Sequence, residues 1–369
     1  MASKIRRIPE LDSLRGMAAV GIVLWHYSGH FHAQPISILL YPFYNAGRYL
    51  VDLFFVLSGF VLTMAYLRPK RQKRVAKGLT NRIARLYPLH LVTLILVMLG
   101  QVYLARIGEK PFIYNYNNGY HFVLNLLMAQ DTSLQKGFSF NGPAWAISVL
   151  LVVNVLFFFV AFKAKHPWAV FVVLMLLSLL SLVFHQGQLI PPRKLFGVFD
   201  GSLLRASLGF FTGAVFYGVA RKLNQTLDRF KTITDGAFVV SLATTIWFFC
   251  GPINSTDGLD FLLVLVVFPV LIYGASHGRI ISWLLNMRPL TQLGKISYSV
   301  YLTHFPLQLL IHIALVSGWV SLKFERPTTL LGFIAVLLII STITYYLIEL
   351  PGKKLLREVV WNRLAEARG

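Results

Sequence analysis

The chain has 369 residues, of which 56% are hydrophobic and only 13% are charged. Soluble domains carry about 25% charged residues, so this composition excludes a disordered chain, a coiled coil and an ordinary soluble domain. Lys and Arg number 35 against 14 Asp and Glu, a formal net charge of +21. In a membrane protein such an excess is typical of cytoplasmic loops, and we expect no nucleic-acid partner.

Apolar stretches near the roughly 18–20 residues needed to cross a bilayer recur along most of the chain. We predict an all-α polytopic membrane protein with about ten transmembrane helices, because backbone that faces lipid must be helical. The transmembrane domain is expected over residues 1–352, followed by a short basic tail at 353–369. The predicted spans are 11–30, 50–67, 83–104, 143–162, 167–186, 203–220, 235–251, 259–276, 295–316 and 328–348.

The distribution of basic residues predicts the orientation of these spans. With the N-terminus inside, most Lys and Arg fall in or near cytoplasmic segments, so both termini are expected in the cytoplasm. Because Asp12 and Arg15 interrupt the first apolar stretch, we expect no cleavable signal peptide. The longest external segment, about 105–142, is expected to cover the outer mouth of a cavity.

The first span carries three polar residues whose spacing places them along one face of the helix. Asp12 and Arg15 are spaced i, i+3 and can pair on one helix face. Arg15 and His26 are eleven residues apart, so they lie on one face with His26 about 16 Å further along the axis. One interpretation is a site that holds an anionic donor at the inner boundary and transfers a proton in mid-membrane. The alternative is that Arg15 reaches the interface and His26 bonds a neighbouring helix.

Two arginines lie at the entry to the third span. Arg82 and Arg85 are spaced i, i+3, so both can face one anion, and a guanidinium matches phosphate oxygens with two parallel hydrogen bonds. The basic loop at 68–74, just before them, is explained by topology and lipid contact.

Further polar side chains occur within apolar spans and are candidates for the wall of a substrate cavity. The alternative is helix packing for Ser58, a position in the interfacial aromatic belt for Trp145 and a structural hydrogen bond for His304. The candidates are Ser58, Trp145, Ser148, Ser297, Tyr298, Tyr301 and His304, of which Ser297, Tyr301 and His304 are spaced i, i+4, i+7. Gly209 and Gly213 form a small-residue packing motif in the sixth span.

Several kinds of chemistry find no support in the sequence. The single cysteine, Cys250, excludes an intrachain disulfide and a Cys-based zinc site, and no metal is expected. The sequence has no G-x-x-x-x-G-K-[ST], H-E-x-x-H or G-x-S-x-G pattern. ATP-driven transport, zinc hydrolysis and elbow-type serine hydrolysis are therefore disfavoured.

Five short segments together resemble the integral-membrane acyltransferase 3 family, which includes O-acetyltransferases of bacterial surface glycans. Their order, spacing and membrane context make the set more specific than any one of them. The segments are Leu11–Gly16 followed by His26, Phe54–Phe60, Arg82–Pro88, Ile296–Pro306 and Ile348–Pro351.

The resemblance implies a ten-helix acyltransferase in the bacterial cytoplasmic (inner) membrane, in contact with membrane lipids. It implies acyl-CoA, usually acetyl-CoA, as co-substrate with no permanently bound cofactor, and a hydroxyl of a surface or periplasmic glycan as acceptor. His26 would be the essential catalytic residue, as a general base or a transient acyl carrier, with Asp12 and Arg15 supporting it. Arg82 and Arg85 would meet the CoA phosphates.

This sequence departs from the family pattern in the fourth span. The family commonly has Trp-Ser-x-Ser-x-Glu there, whereas Leu150 takes the place of the acid and Asn154 is the nearest polar residue along the span. Some members also carry a C-terminal extracellular esterase-like domain, and none is expected here.

Two other functions remain open from the residues. A proton-coupled transporter or flippase of a glycan or lipid would also use mid-membrane His and Tyr, but we find no inverted repeat with paired broken helices. A transmembrane protein that serves only for interaction would account for the apolar content. It would give no role to the alignment of Arg15 with His26.

Overall fold

The computed structural model is almost entirely helical. It describes residues 8–67, 75–190, 194–195, 199–227, 231–251 and 258–366. The strands in this part of the chain are two antiparallel residue pairs, β1 Lys194–Leu195 and β2 Phe199–Asp200, with Lys194 opposite Asp200. The predicted all-α class is confirmed.

The described residues of the first half of the chain form seven α-helices. A 3₁₀ turn at Gly47–Tyr49 joins α2 to α3, and another at Gly142–Ala144 leads into α6. The helices are α1 Pro9–Phe31, α2 Ser37–Ala46, α3 Leu50–Tyr66, α4 Val75–Arg106, α5 Gly119–Leu126, α6 Trp145–Lys163 and α7 Pro167–Gln186.

In the second half, the residues that the structure describes form eight more α-helices and two π-helical segments. The π segments are Leu263–Val267, between α10 and α11, and Tyr345–Glu349, between α14 and α15. The helices are α8 Gly201–Leu227, α9 Lys231–Cys250, α10 Asp260–Leu262, α11 Phe268–His277, α12 Ile280–Leu285, α13 Arg288–Val316, α14 Pro327–Thr344 and α15 Leu350–Glu366.

Nine segments within the described ranges are long and apolar enough to cross a membrane, and they coincide with nine of the ten predicted spans. They are Ser37–Tyr66, Gly78–Arg106, Gly142–Lys163, Pro167–Phe184, Gly201–Lys222, Thr232–Cys250, Asp260–His277, Arg288–Val316 and Pro327–Val359.

The remaining predicted span, 11–30, forms α1. This helix has 23 residues, so it is about 34 Å long and reaches across a hydrocarbon core. Its polar side chains make it less apolar than the other nine, and those side chains face the interior of the bundle. The predicted loop at 68–74 lies outside the described residues.

α1 runs parallel to α13 and packs against it over much of its length. A Cβ atom at Gly16 would lie 2.8 Å from the backbone nitrogen of Gly294, and a Cβ at Gly294 would overlap the carbonyl oxygen of Asp12. Only glycine allows the two backbones to approach this closely. This contact fixes the register of the two helices. We call the end of the bundle where α1 begins the basal end and the other the distal end.

α3 and α8 make a second close helix contact. A Cβ at Gly59 would overlap the carbonyl oxygen of Phe210, and one at Gly213 would overlap that of Val56. Gly209 lies against Phe55 in the same contact. The packing role predicted for Gly209 and Gly213 is confirmed, and Gly59 is its partner on α3.

Replacing Gly59 with Ala is therefore expected to destabilise the protein. The added methyl meets backbone atoms, which cannot rotate away. The free energy of unfolding should therefore fall by at least about 1–3 kcal/mol. The matched control is Gly236→Ala on α9, where a Cβ has open space and the change should be neutral or stabilising. The measurement is the midpoint of thermal unfolding in detergent. Equal midpoints for the two variants would contradict the packing argument.

Candidate active site

A wide polar cavity opens among α1, α3, α4, α13 and α15 near the basal end. Its volume is about 480 Å³, and we call it the vestibule. Asp12 and Glu349 are the acidic residues in its lining. Its basic lining residues are Arg15, Arg82, Arg85, Lys295, Lys353 and Arg357. Positive charge therefore exceeds negative charge around this space, which suits an anionic ligand.

A second, narrower cavity of about 100 Å³, which we call the cleft, shares three of these residues. Arg15, Arg82 and Arg85 line both cavities, so they stand at the junction between them. The rest of the cleft is mostly apolar, with walls that include Val51, Phe54, Phe55, Leu86, Ile147 and Leu150. The charged vestibule therefore leads into a mostly apolar cleft.

The three arginines at the junction are only partly neutralised. Arg15 pairs with Asp12 at 3.0 Å between Nη1 and Oδ1, as the i, i+3 spacing predicts. Arg85 Nε lies 3.6 Å from Glu349 Oε1, and Ser299 donates to the other oxygen of that carboxylate. Arg82 has no ion pair among the described residues and faces the like charges of its two neighbours. One site that holds three guanidinium groups against two carboxylates favours a further anion.

His26 lies on the same helix as Arg15, eleven residues nearer the distal end, and is buried. Its Nδ1 is 3.1 Å from the carbonyl oxygen of Ile22. Because a carbonyl only accepts, Nδ1 carries the proton in this bond, and the neutral ring keeps its lone pair on Nε2. The backbone therefore orients His26 as a base or nucleophile.

Two histidines contact the His26 ring, and a glutamine bonds one of them. The four side chains, His26, His30, His304 and Gln308, form what we call the histidine cluster. The His26 ring centre is 4.8 Å from that of His304 and 5.2 Å from that of His30. His30 Nδ1 lies 2.8 Å from Gln308 Oε1. The described residues contain no group of three His, Cys, Asp or Glu side chains placed to hold a metal ion.

Neither the vestibule nor the cleft reaches His26. The last α13 residue to line the cleft is Tyr301, whose ring centre is 5.9 Å from that of His304 and 6.2 Å from that of Phe54. The Tyr301 hydroxyl donates to the carbonyl of Pro143 at 2.6 Å. Tyr301 and His304 therefore connect the end of the cleft to His26 by ring contacts rather than by open space.

The candidate cavity residues divide into two groups. Ser58, Ser297, Tyr298 and Tyr301 line the cleft. His304 lies in the histidine cluster instead, and Trp145 and Ser148 line neither cavity. Trp145 packs against Phe55 and the Arg205 guanidinium, and the Ser148 hydroxyl donates to the Gln130 carbonyl.

The reason is the rotation of α6 about its axis. This helix turns Ala146, Ile147 and Leu150 toward the cleft. Leu150 keeps that wall apolar at the position where the resemblance expects an acid. Asn154 is fully buried one turn further on, and neither of its side-chain atoms has a hydrogen-bond partner within the described ranges.

A buried ion pair beside the site is a feature that the sequence reasoning missed. Arg205 on α8 binds both oxygens of Asp52 on α3, at 2.6 and 2.8 Å, and also donates to the carbonyl of Arg48. The exposed fractions of the Arg205 and Asp52 side chains are 7% and 0%. The available signal was one unpaired charge of opposite sign in each of two predicted spans.

Removing one partner of this pair is expected to destabilise the protein. Arg205→Met leaves the Asp52 carboxylate buried without a counter-charge, which costs about 3–5 kcal/mol. The double variant Asp52→Leu/Arg205→Met removes both charges, so its loss should be clearly smaller. Thermal unfolding in detergent measures both. A double variant no more stable than the single one would show that burial of the lone charge is not the cause.

Comparisons with known proteins point to one kind of enzyme. Residues 8–347 match the family model described as an acyltransferase domain. The peptidoglycan O-acetyltransferase OatA of Listeria monocytogenes is 24% identical over 372 residues, covering 94% of this chain and 56% of that protein. The O-acetyltransferase OatA of Staphylococcus aureus is 23% identical over 378 residues, covering 95% of this chain and 58% of that protein.

A third relative matches over a shorter stretch. The acyltransferase MdmB of Streptomyces mycarofaciens is 29% identical over 154 residues, covering 40% of this chain and 38% of that protein. The chain spans little more than half the length of the two OatA proteins that it matches. No solved structure matches the chain.

Proposed function

Because the chain belongs to the acyltransferase domain family, which its residues 8–347 match, we propose that it transfers an acyl group from acyl-CoA to a glycan hydroxyl across the membrane. The observation that carries this proposal is the junction of Arg15, Arg82 and Arg85 between a charged vestibule and an apolar cleft. Ring contacts through Tyr301 and His304 link the end of this cleft to His26. The proposed donor is acetyl-CoA, the group transferred by the two OatA relatives being acetyl by their names.

The two cavities suit the two ends of a CoA thioester. The phosphates would meet the three arginines, since guanidinium groups bind phosphate oxygens in pairs. The uncharged pantetheine arm would pass into the cleft, whose walls are mostly apolar and whose polar groups include Ser58 and Ser297. His26 lies about 16 Å along α1 from Arg15, within reach of an extended arm. Tyr301 must turn aside to admit the thioester to His26.

His26 can act in either of two ways. As a general base, its Nε2 takes the proton of the acceptor hydroxyl while that oxygen attacks the thioester carbonyl. The C–S bond then breaks and the CoA thiolate receives the proton. Such proton transfer contributes roughly 10²–10⁴-fold to a rate. As a nucleophile, Nε2 would instead carry the acyl group between donor and acceptor.

The acceptor proposed is a hydroxyl of a cell-envelope glycan. Peptidoglycan is the substrate in the name of the Listeria relative, and the hydroxyl of another surface glycan has the same chemistry. We place the protein in the bacterial cytoplasmic membrane with the basal end and both termini in the cytoplasm, because basic residues concentrate at that end.

The test uses the purified protein in detergent. Acetyl-CoA should raise the thermal unfolding midpoint, and free CoA should be released when envelope glycan, stripped of its O-acetyl groups by mild alkali, is added. A transporter without chemistry would release no CoA. The absence of both effects would overturn the donor assignment.

A further inference from the structure

The histidine cluster is built from two helices in matched register. His26 on α1 and His304 on α13 each lie ten residues beyond the glycines that touch, Gly16 and Gly294. His30 and Gln308 each lie fourteen residues beyond them. At 1.5 Å per residue these pairs stand about 15 and 21 Å above the glycine contact. The parallel helices therefore bring His26 beside His304 and His30 beside Gln308, as the ring distance of 4.8 Å and the bond of 2.8 Å show.

Two members of the histidine cluster have buried polar atoms that lack a hydrogen-bond partner among the described residues. The side chains of His304 and Gln308 are both 0% exposed. Among the described residues, no partner forms a hydrogen bond of ordinary geometry with either ring nitrogen of His304 or with Nε2 of Gln308. The carbonyls of Val300 and Tyr301 lie near His304 without satisfying it. Each such buried group costs about 1–3 kcal/mol, so an arrangement that keeps three of them calls for a ligand.

The cluster extends one helical turn beyond His26 toward the distal end, because His30 and Gln308 lie further from the vestibule than His26 and His304. Its distal side is covered by aromatic rings: His30 contacts Phe112, Tyr114 and Phe305 at centre-to-centre distances of 5.9, 6.5 and 5.6 Å. Phe112 and Tyr114 belong to residues 107–141, the segment that connects α4 to α6 at the distal end. Aromatic faces beside unsatisfied donors and acceptors suit a sugar, whose C–H faces pack on rings while its hydroxyls both donate and accept.

We propose that His304 and Gln308 form the binding site for the acceptor, a polyol such as a glycan sugar that enters from the distal end. This rests on the proposed acyl transfer at His26. The Gln308 amide and the His304 ring nitrogens hydrogen-bond two hydroxyls of the sugar and present a neighbouring one to His26 Nε2. Its oxygen forms the ester bond, its proton passes through His26 to the CoA thiolate, and the C–S bond breaks. His304 and Gln308 bind and do not react.

The test compares three variants of the full chain in detergent: His304→Leu, Gln308→Leu and the control Thr303→Val. Thr303 is also buried on α13, but its hydroxyl bonds the Ser299 carbonyl and Ser341 on α14, away from the cluster. The acceptor probe is envelope glycan of the producing strain freed of O-acetyl groups. The readouts are CoA release, the acetyl-CoA dissociation constant by calorimetry, and the thermal unfolding midpoint.

We expect His304→Leu and Gln308→Leu to raise the KM for the glycan at least tenfold while the acetyl-CoA dissociation constant stays within twofold. Thr303→Val should leave both unchanged. His304→Leu should not lower the unfolding midpoint without acceptor, because it removes two unsatisfied buried atoms. A purely structural role would lower that midpoint.

Three results would overturn the site. One is an unchanged KM for the glycan, which would mean that only water satisfies these atoms. Another is weakened acetyl-CoA binding together with the raised KM, which would place both residues on the donor side. The third is an equal effect of Thr303→Val. Failure of the proposed function looks different, because the unmodified protein would then bind no acetyl-CoA and release no CoA.

Discussion

Replacing His26 with Ala is expected to abolish acyl transfer while the protein still folds and still binds acetyl-CoA. The imidazole holds its lone pair next to the proposed meeting point of donor and acceptor, and the hydrogen bonds of its neighbours His30 and Gln308 do not depend on it. Loss of a general base alone lowers the rate roughly 10²–10⁴-fold, and loss of an acyl carrier would remove it altogether. The rate of CoA release with envelope glycan as acceptor measures the effect.

The control for this experiment is His277→Ala. His277 ends α11, stacks on Tyr273 and lies outside both cavities and the cluster, so transfer should persist. The calorimetric affinity for acetyl-CoA should be the same in both variants and the unaltered protein. Transfer at a normal rate by His26→Ala would remove His26 from the mechanism.

The double variant Arg82→Ala/Arg85→Ala should weaken acetyl-CoA binding strongly. A hydrogen bond to a charged group is worth about 1.5–3 kcal/mol, so the loss of two guanidinium groups should lower the affinity by well over tenfold. Arg82→Ala alone is the cleaner variant, because Arg85 also neutralises Glu349. Calorimetry with acetyl-CoA measures each dissociation constant.

Lys163→Ala/Lys165→Ala is the matched control, since it removes the same charge from exposed residues outside both cavities. The affinity of this control variant for acetyl-CoA should fall little. The difference in acetyl-CoA affinity between the two double variants should become smaller as salt is added. Equal affinities for acetyl-CoA in the two double variants would exclude the arginines from the donor site.

The features that the sequence predicted are those within one helix or one apolar stretch. The pairing of Asp12 with Arg15 and the alignment of Arg15 with His26 follow from helical spacing, and α1 is continuous over all three. Nine spans could be predicted from the long apolar runs. The length of each run depends on the bilayer that it crosses and not on contacts with the other helices. α2 was not predicted, since its residues 37–46 were too few to count as a span.

The features that the sequence did not predict depend on contacts between distant segments. Gln308 bonds His30 across 278 positions, and Arg205 pairs with Asp52 across 153. The i, i+4 pairs His26 with His30 and His304 with Gln308 were visible, but their meeting depends on the Gly16–Gly294 contact. On α6 the residues are apolar on all sides, so no periodicity could tell that Leu150 faces the cleft and Ser148 does not.

The pairing of α1 with α13 also sets the timing of assembly. α1 carries Arg15, His26 and His30, and the partner that covers this face begins only at Arg288. A ribosome adds about 5–20 residues per second, so α1 waits roughly 15–60 s for that partner. During this interval the face of α1 that carries His26 and His30 lacks its final partner. The fold is therefore completed late, because the first helix, α1, packs against α13, which is one of the last to be made.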